Sequence, residues 1–288
     1  MPADRHHLKD DLHRLVGERH PLSAPLRLQE VEAYLHRQFS EAGLIVTKHH
    51  FQALGGTYHN VIGTARPAVQ PSQSAPPLIL AAHFDTVQGS PGADDNASAL
   101  AVLLHIARQV RAMPLARPIR FIAFNLEEDN LLGSSAYTAL LRKNREAIHG
   151  AIVLECVGYA SHREHSQKIP PGVPIAVPTT GNFLAVVGNK QSQALTGSVA
   201  QALKSHLPIV PLVVPGNGEK LPDTRRSDHT SFWEQGFPAI MLTDTANFRN
   251  PHYHRPTDTL DTLNLDFIAS VADGVMAAVM ALAGQPTA

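Results

Sequence analysis

What most restricts this chain is a unit that recurs along it: a short, almost wholly apolar run that stops abruptly on acid or histidine. LILAA (78–82) stops on His83 and Asp85, IRFIAF (119–124) runs into Glu127, Glu128 and Asp129, and AIVL (151–154) stops on Glu155. AIML (239–242) comes just before Asp244, with Tyr253 and His254 in the loop beyond. Apolar runs of four to six residues without polar alternation fit strands buried on both faces. The segments 96–112, 134–142, 191–206 and 265–283 carry helical spacing. The fold class that follows is α/β, a mostly parallel sheet sandwiched by helices. In open sheets of this kind ligands sit beyond the carboxyl ends of the strands, where these acids and histidines fall.

The rest of the chain fits the same plan. A helix is expected over 26–39, closed by Gly43, then two strands at 45–51 and 58–63 joined by Gly55-Gly56. A Pro/Ser/Gln-rich loop is expected at 67–77, and further strands at 184–187 and 209–213. No repeat or composition break divides the 288 residues, so a single domain over 1–288 is expected, large enough to bury a site. Lys and Arg total 24 against 25 Asp and Glu, a net charge of -1, which gives no reason to expect nucleic acid or an anionic membrane as partner. Cys156 is the one cysteine, so no intrachain disulfide can form. The first twenty residues are polar and charged, without the apolar stretch of a secretory leader, and no run approaches a membrane span. A cytoplasmic location is the expectation.

Each motif has an ordinary reading beside a chemical one. His83 and Asp85 leave an extended chain on the same side, so the carboxylate could accept the ring N–H of a metal-bound histidine; alone, they are a capping histidine and a turn aspartate. In GADDNAS, Asp95 or Asn96 could be a helix cap, but one cap needs one residue, and a second acid suggests a carboxylate bridging two cations. Of Glu127 and Glu128, one can bind a cation while the other remains free as a general base. Glu155 ends an apolar run, where a charge is rarely left unpaired. Cys156 is expected on the opposite face as a core thiol. In NPHYHRPTDTLDTL, His252 and His254 share a side; His254 is the preferred ligand, with Asp258 behind it. Histidines and carboxylates without thiolates suit zinc, and less firmly cobalt or manganese.

Five blocks, AAHFDTVQGSPGADDNASA, IRFIAFNLEEDNLLGS, LECVGY, RSDHTSFWEQGFPAIMLTDT and YHRPTDTLDTL, occur in an order that resembles the M28 family of zinc aminopeptidases. The resemblance implies an eight-stranded mixed sheet, two zinc ions, and peptide substrates with a free N-terminus. It implies His83 and Glu155 at one zinc, Glu128 and His254 at the other, Asp95 between them, Glu127 as general base, and a cis Asp95–Asn96 peptide; Asp85, through its place beside His83, is counted with Glu127 among the candidate catalytic residues. Two departures stand out: the family's usual aspartate is Glu155 here, and the family is often secreted. Alternatives on the same scaffold are a single-zinc glutaminyl cyclase and a non-catalytic receptor or scaffold. The loops 157–183 and 215–227 are expected to wall the side-chain pocket.

Overall fold

A computed structural model describes residues 2–67 and 75–284. Most of the loop expected at 67–77 lies outside the described residues. Helices α1 (Arg5–Leu15) and α2 (Pro25–Glu41) lead into strands β1 (Ile45–Ala53) and β2 (Gly56–Ala65). Then come β3 (Leu78–His83), α3 (Ala99–Gln109), β4 (Ile119–Phe124), α4 (Leu132–Lys143) and β5 (Gly150–Glu155). The remainder is β6 (Leu184–Asn189), α5 (Gln193–Leu203), β7 (Ile209–Val214), α6 (His229–Glu234), β8 (Ala239–Thr243) and α7 (Leu265–Ala283).

The strands make one eight-stranded mixed sheet in the order β1-β2-β4-β3-β5-β8-β6-β7. Its centre, β4-β3-β5-β8, is parallel, with β2 and β6 running antiparallel to β4 and β8. From β3 the chain passes to β4 on one side and then to β5 on the other. The order therefore reverses at β3 and opens a crevice beyond its carboxyl end, where His83 stands.

Alternation along the central strands divides the core in two. Leu78, Leu80, Phe121, Ile152, Leu154 and Leu242 face α1, α2, α3, α5 and α7. Ile79, Ala81, Ile122, Val153, Val187 and Met241 face the thinner cover of α4 and α6, with Tyr137, Leu141, Phe232 and Trp233. His83 and Glu155 lie two residues beyond Ala81 and Val153, so both belong to the thinly covered face.

Several expectations need correction. Helix α1 escaped the reading of a merely polar start; yet Leu8, Leu12 and Leu15 are buried at helical spacing, each stabilising by roughly 1.5–3 kcal/mol, and Asp4 caps the helix through the His6 and His7 N–H groups. The hairpin turn is Leu54-Gly55, both with positive φ, and Gly56 already belongs to β2. The helix expected from residue 96 is interrupted: Ala93–Ser98 form a separate turn, and α3 begins at Ala99. The 19-residue α7 is long and apolar enough to cross a membrane, contrary to the sequence reading. In this fold it packs against α1, α3 and α5.

Candidate active site

Three strand ends and two loops build the site. His83 ends β3, Glu127 and Glu128 follow β4, Glu155 ends β5, Asp95 sits in the turn before α3, and His254 comes from the loop after β8. All but His254 lie deep: His83 is fully buried and Asp95, Glu155 and Glu127 are 3%, 5% and 8% exposed.

The side chains fall into two triads that share Asp95. His83 Nε2 is 3.1 Å from Asp95 Oδ1 and 3.4 Å from Glu155 Oε2. His254 Nε2 is 3.1 Å from Asp95 Oδ2 and 3.3 Å from Glu128 Oε2. Each Asp95 oxygen therefore serves a different triad. Ligands at zinc distances around a tetrahedral ion stand about 3.3 Å apart, so both triads have the spacing of a metal site. His83 Nε2, Asp95 Oδ1 and Glu128 Oε1 are buried without a hydrogen-bond partner among the described residues, despite their close neighbours. Each belongs to a residue of the two triads, whose ligand-type atoms lie close together without satisfying one another, which fits the donor set of a cation. A third grouping, His83 with Glu127 and Glu128, is also close enough to hold an ion.

Without a cation, these groups hold protons unusually. Burial pulls the His83 imidazole down, but Glu155 and Glu127 outweigh it and raise it well above its ordinary value. Burial likewise opposes protonation of His254, while Asp95 and Glu128 bring it up to about 10. Burial raises Glu128 to about 7, with Asp95 adding. Burial also raises Glu127 well above the carboxylate range, His83 pulls it back, and Glu155 and Glu128 push it up again. Bound cations would replace those protons.

The backbone around the ligands is held by other acids. Asp85 accepts the N–H groups of Glu127 and Glu128, both at 3.0 Å. The pairing expected between its carboxylate and the His83 ring gives way to a 3.2 Å contact from His83 Nδ1 to the Asp85 carbonyl, the carboxylate standing 3.6 Å off. Asp258, expected behind His254, uses its two oxygens on the N–H groups of Asp94 (2.9 Å) and Asp95 (3.2 Å). Thus each adjacent pair of acids is aimed by one carboxylate. Cys156 also departs from expectation: at φ +49 the strand alternation has ended, and its thiol donates to Glu155 Oε1 at 3.2 Å. Leu126 and His254 have positive φ as well, so left-handed residues mark the turns that present the ligands. The Asp95–Asn96 peptide is cis, as the resemblance implied. His252 turns away to a 3.0 Å contact with Thr257, and His162 and His165 are exposed.

Sequence reasoning missed three supports. Asn96, considered only as a cap, donates to the Leu154 carbonyl (3.0 Å) and accepts from Cys156 N–H (3.0 Å), bracketing Glu155. Ser227 donates to Glu155 Oε2 at 2.7 Å, and Asn250 donates to Asp94 at 2.7 Å. For Ser227 and Asn250 the signal available was their place inside RSDH and beside PHYH, and for Asn96 its place after the two acids of GADDNAS.

Beside Glu155 the thinly covered face opens into a cavity of about 90 Å³. Ala185, Leu212 and Met241 form its sheet side, and Val173 and Val177 of the 157–183 loop close over it, with Thr224 and Arg226 from the 215–227 loop. Both long loops therefore wall a largely apolar pocket next to the triads.

A mixed sheet with two histidine–carboxylate triads at its carboxyl edge defines a site of the metallopeptidase class. Residues 60–279 match peptidase family M28, and the chain belongs to that family. It is 33% identical to the uncharacterized protein YfbL of Escherichia coli K12 over 95% of this chain and 87% of that one. It is 29% identical to aminopeptidase YwaD of Bacillus subtilis over 77% of this chain, and spans only 44% of that protein. The aminopeptidase LapA of Legionella pneumophila shares the fold, with a TM-score of 0.77 at 18% identity over 98% of this chain and 73% of LapA. BSAP, a zinc aminopeptidase of Bacillus subtilis, superposes with a TM-score of 0.59 at 25% identity over 81% of this chain and 52% of BSAP. A glutaminyl cyclase of Macrostomum lignano shares the fold too, with a TM-score of 0.75 at 17% identity over 97% of this chain and 89% of the cyclase.

Proposed function

We propose that the chain is an aminopeptidase that holds two zinc ions and removes the N-terminal residue of peptides. The observation that carries this reading is Asp95, with one oxygen 3.1 Å from His83 Nε2 and the other 3.1 Å from His254 Nε2. His83 and Glu155 would hold one ion, Glu128 and His254 the other, and Asp95 both. Bound zinc would supply Lewis acidity, polarising the scissile carbonyl and making water easier to deprotonate.

The protein's own residues supply the rest. Glu127 takes a proton from the attacking water and returns it to the leaving amine. Asp85 holds the Glu127 and Glu128 main chain so that adjacent glutamates serve different tasks. The acid-rich site favours the substrate's ammonium terminus. The pocket takes the N-terminal side chain: space on the order of six waters, lined by Val173, Leu212 and Met241, selects a large apolar residue.

Metal content per chain, measured with cleavage of a panel of aminoacyl reporters, tests this reading. Glu127→Gln should keep fold and zinc while kcat falls by about 10²–10⁴. Near-wild-type turnover would remove Glu127 from the role. A peptide starting with glutamine should release free glutamine; a cyclised product would point to the cyclase reaction.

A further inference from the structure

His83 and Asp95 stand at the two ends of one loop, and beneath that loop lies Arg19, fully buried and outside every motif singled out above. Its Nε donates to the Phe84 carbonyl at 2.7 Å. Its Nη1 donates to the carbonyls of Leu15 (2.7 Å), Gly17 (2.7 Å) and Pro91 (2.9 Å), and its Nη2 to that of Gly92 (3.0 Å). The Arg19 N–H donates to Thr86 Oγ1 at 2.8 Å, and the Gly17 N–H to the Pro91 carbonyl at 2.9 Å. Three separate stretches, 15–19, 84–86 and 91–92, thus meet on one guanidinium. Gly92 has φ +61, and a Cβ there would stand 2.7 Å from Nη2 and 2.3 Å from the Asp95 carbonyl oxygen. The turn that carries Asp95 can approach the guanidinium only because residue 92 has no side chain.

A buried arginine is usually paired with a carboxylate. Every side-chain bond of Arg19 described here ends on a main-chain carbonyl. Burial lowers it to about 10, with Asp95, Asp85 and Asp258 opposing the drop, so it remains a cation at neutral pH. A neutral or less branched group could not satisfy five carbonyls in three directions.

We propose that Arg19 is a positioning residue for the metal cluster: its guanidinium pins both ends of the 84–92 loop and thereby sets His83 against Asp95. The proposal rests on His83 and Asp95 being metal ligands. It places the segment before α2 among the determinants of metal affinity. A purely structural Arg19 would affect thermal stability and leave the zinc affinity of the folded protein unchanged.

The test is zinc affinity of the full chain, by competition with a fluorescent chelator, for wild type, Arg19→Lys and Arg19→Gln, with folding checked by circular dichroism. Both variants should bind zinc at least tenfold more weakly. At saturating zinc, kcat should fall at least tenfold while KM changes less than threefold. Folded variants whose zinc affinity and kcat stay within twofold of wild type overturn the proposal. Should the variants not fold, amide hydrogen exchange on wild type decides: zinc loading should slow exchange at residues 15–19 as well as 84–95. Protection confined to 84–95 overturns the coupling. A wild type that binds no zinc overturns the metal reading and this proposal with it; tight wild-type binding shared by both variants overturns this proposal alone.

Discussion

At the scale of the residue, two carboxylates beside the cluster serve to aim other groups. Asp85 and Asp258 each accept two consecutive backbone N–H groups. Asp85→Asn would replace one of the two acceptors by an amide NH2 facing a backbone donor. Charge-assisted bonds of this kind contribute about 1.5–3 kcal/mol each, so kcat/KM should fall about 10- to 100-fold with zinc content retained. Steady-state kinetics beside elemental analysis checks this; loss of zinc with intact kcat per loaded chain would contradict it. At this scale the types of candidate ligand were legible, because His83, Glu128 and Glu155 follow apolar runs where acid or histidine is out of place, while Asp95 and His254 stand in acid- and histidine-rich loops. The partners of Asp85 and Asp258 were not, because they lie 42 or more residues away along the chain.

At the scale of the element, strands read from apolar runs agree closely with the fold, and departures fall where packing overrides local pattern. The turn Ala93–Ser98 breaks the expected helix because Asn96 and Ser98 bond to the Leu154–Val157 stretch instead of continuing it. The short helix α6 carries a different consequence. His229, fully buried, has Nε2 2.8 Å from the Thr224 carbonyl, sits edge-on to Trp233, and has no partner at Nδ1 among the described residues. Burial pushes its imidazole down to about 4. The folded state keeps it neutral while the unfolded chain takes up a proton near pH 6.5, so stability is lost as pH falls from about 6.5 toward 4. The loss from this group is at most about 3 kcal/mol. Urea midpoints of metal-free protein at pH 7 and 4.5 should show it. His229→Gln, weaker at pH 7, should lose less over the same interval; an equal loss would assign the acid sensitivity elsewhere.

At the scale of the molecule, the thinner of the two helical covers decides where the pocket lies. Five helices seal one face of the sheet, whereas α4 and α6 leave the β8-β6-β7 side to two long loops. With cations bound as proposed, the acid cluster at the sheet's edge should make stability depend on metal. Zinc at about 100 times its Kd would add about 2.7 kcal/mol, which for a chain of this size shifts Tm by about 4–5 °C. Differential scanning calorimetry with and without chelator should show that decrease; an unchanged Tm would mean that the cluster folds without help from a cation.

By itself the sequence determined the alternating α/β plan, the strand edge where acids and histidines gather, and the kinds of candidate ligand found there. Those properties reside in residue type and short-range periodicity. Only the tertiary structure decided which oxygen meets which nitrogen, that Asp85 and Asp258 hold backbone, that Cys156 turns back onto Glu155, and that Arg19 lies beneath the loop. The reason is physical: those outcomes depend on left-handed turns and on hydrogen bonds between distant segments, whose geometry exists only once the sheet and its helices have packed.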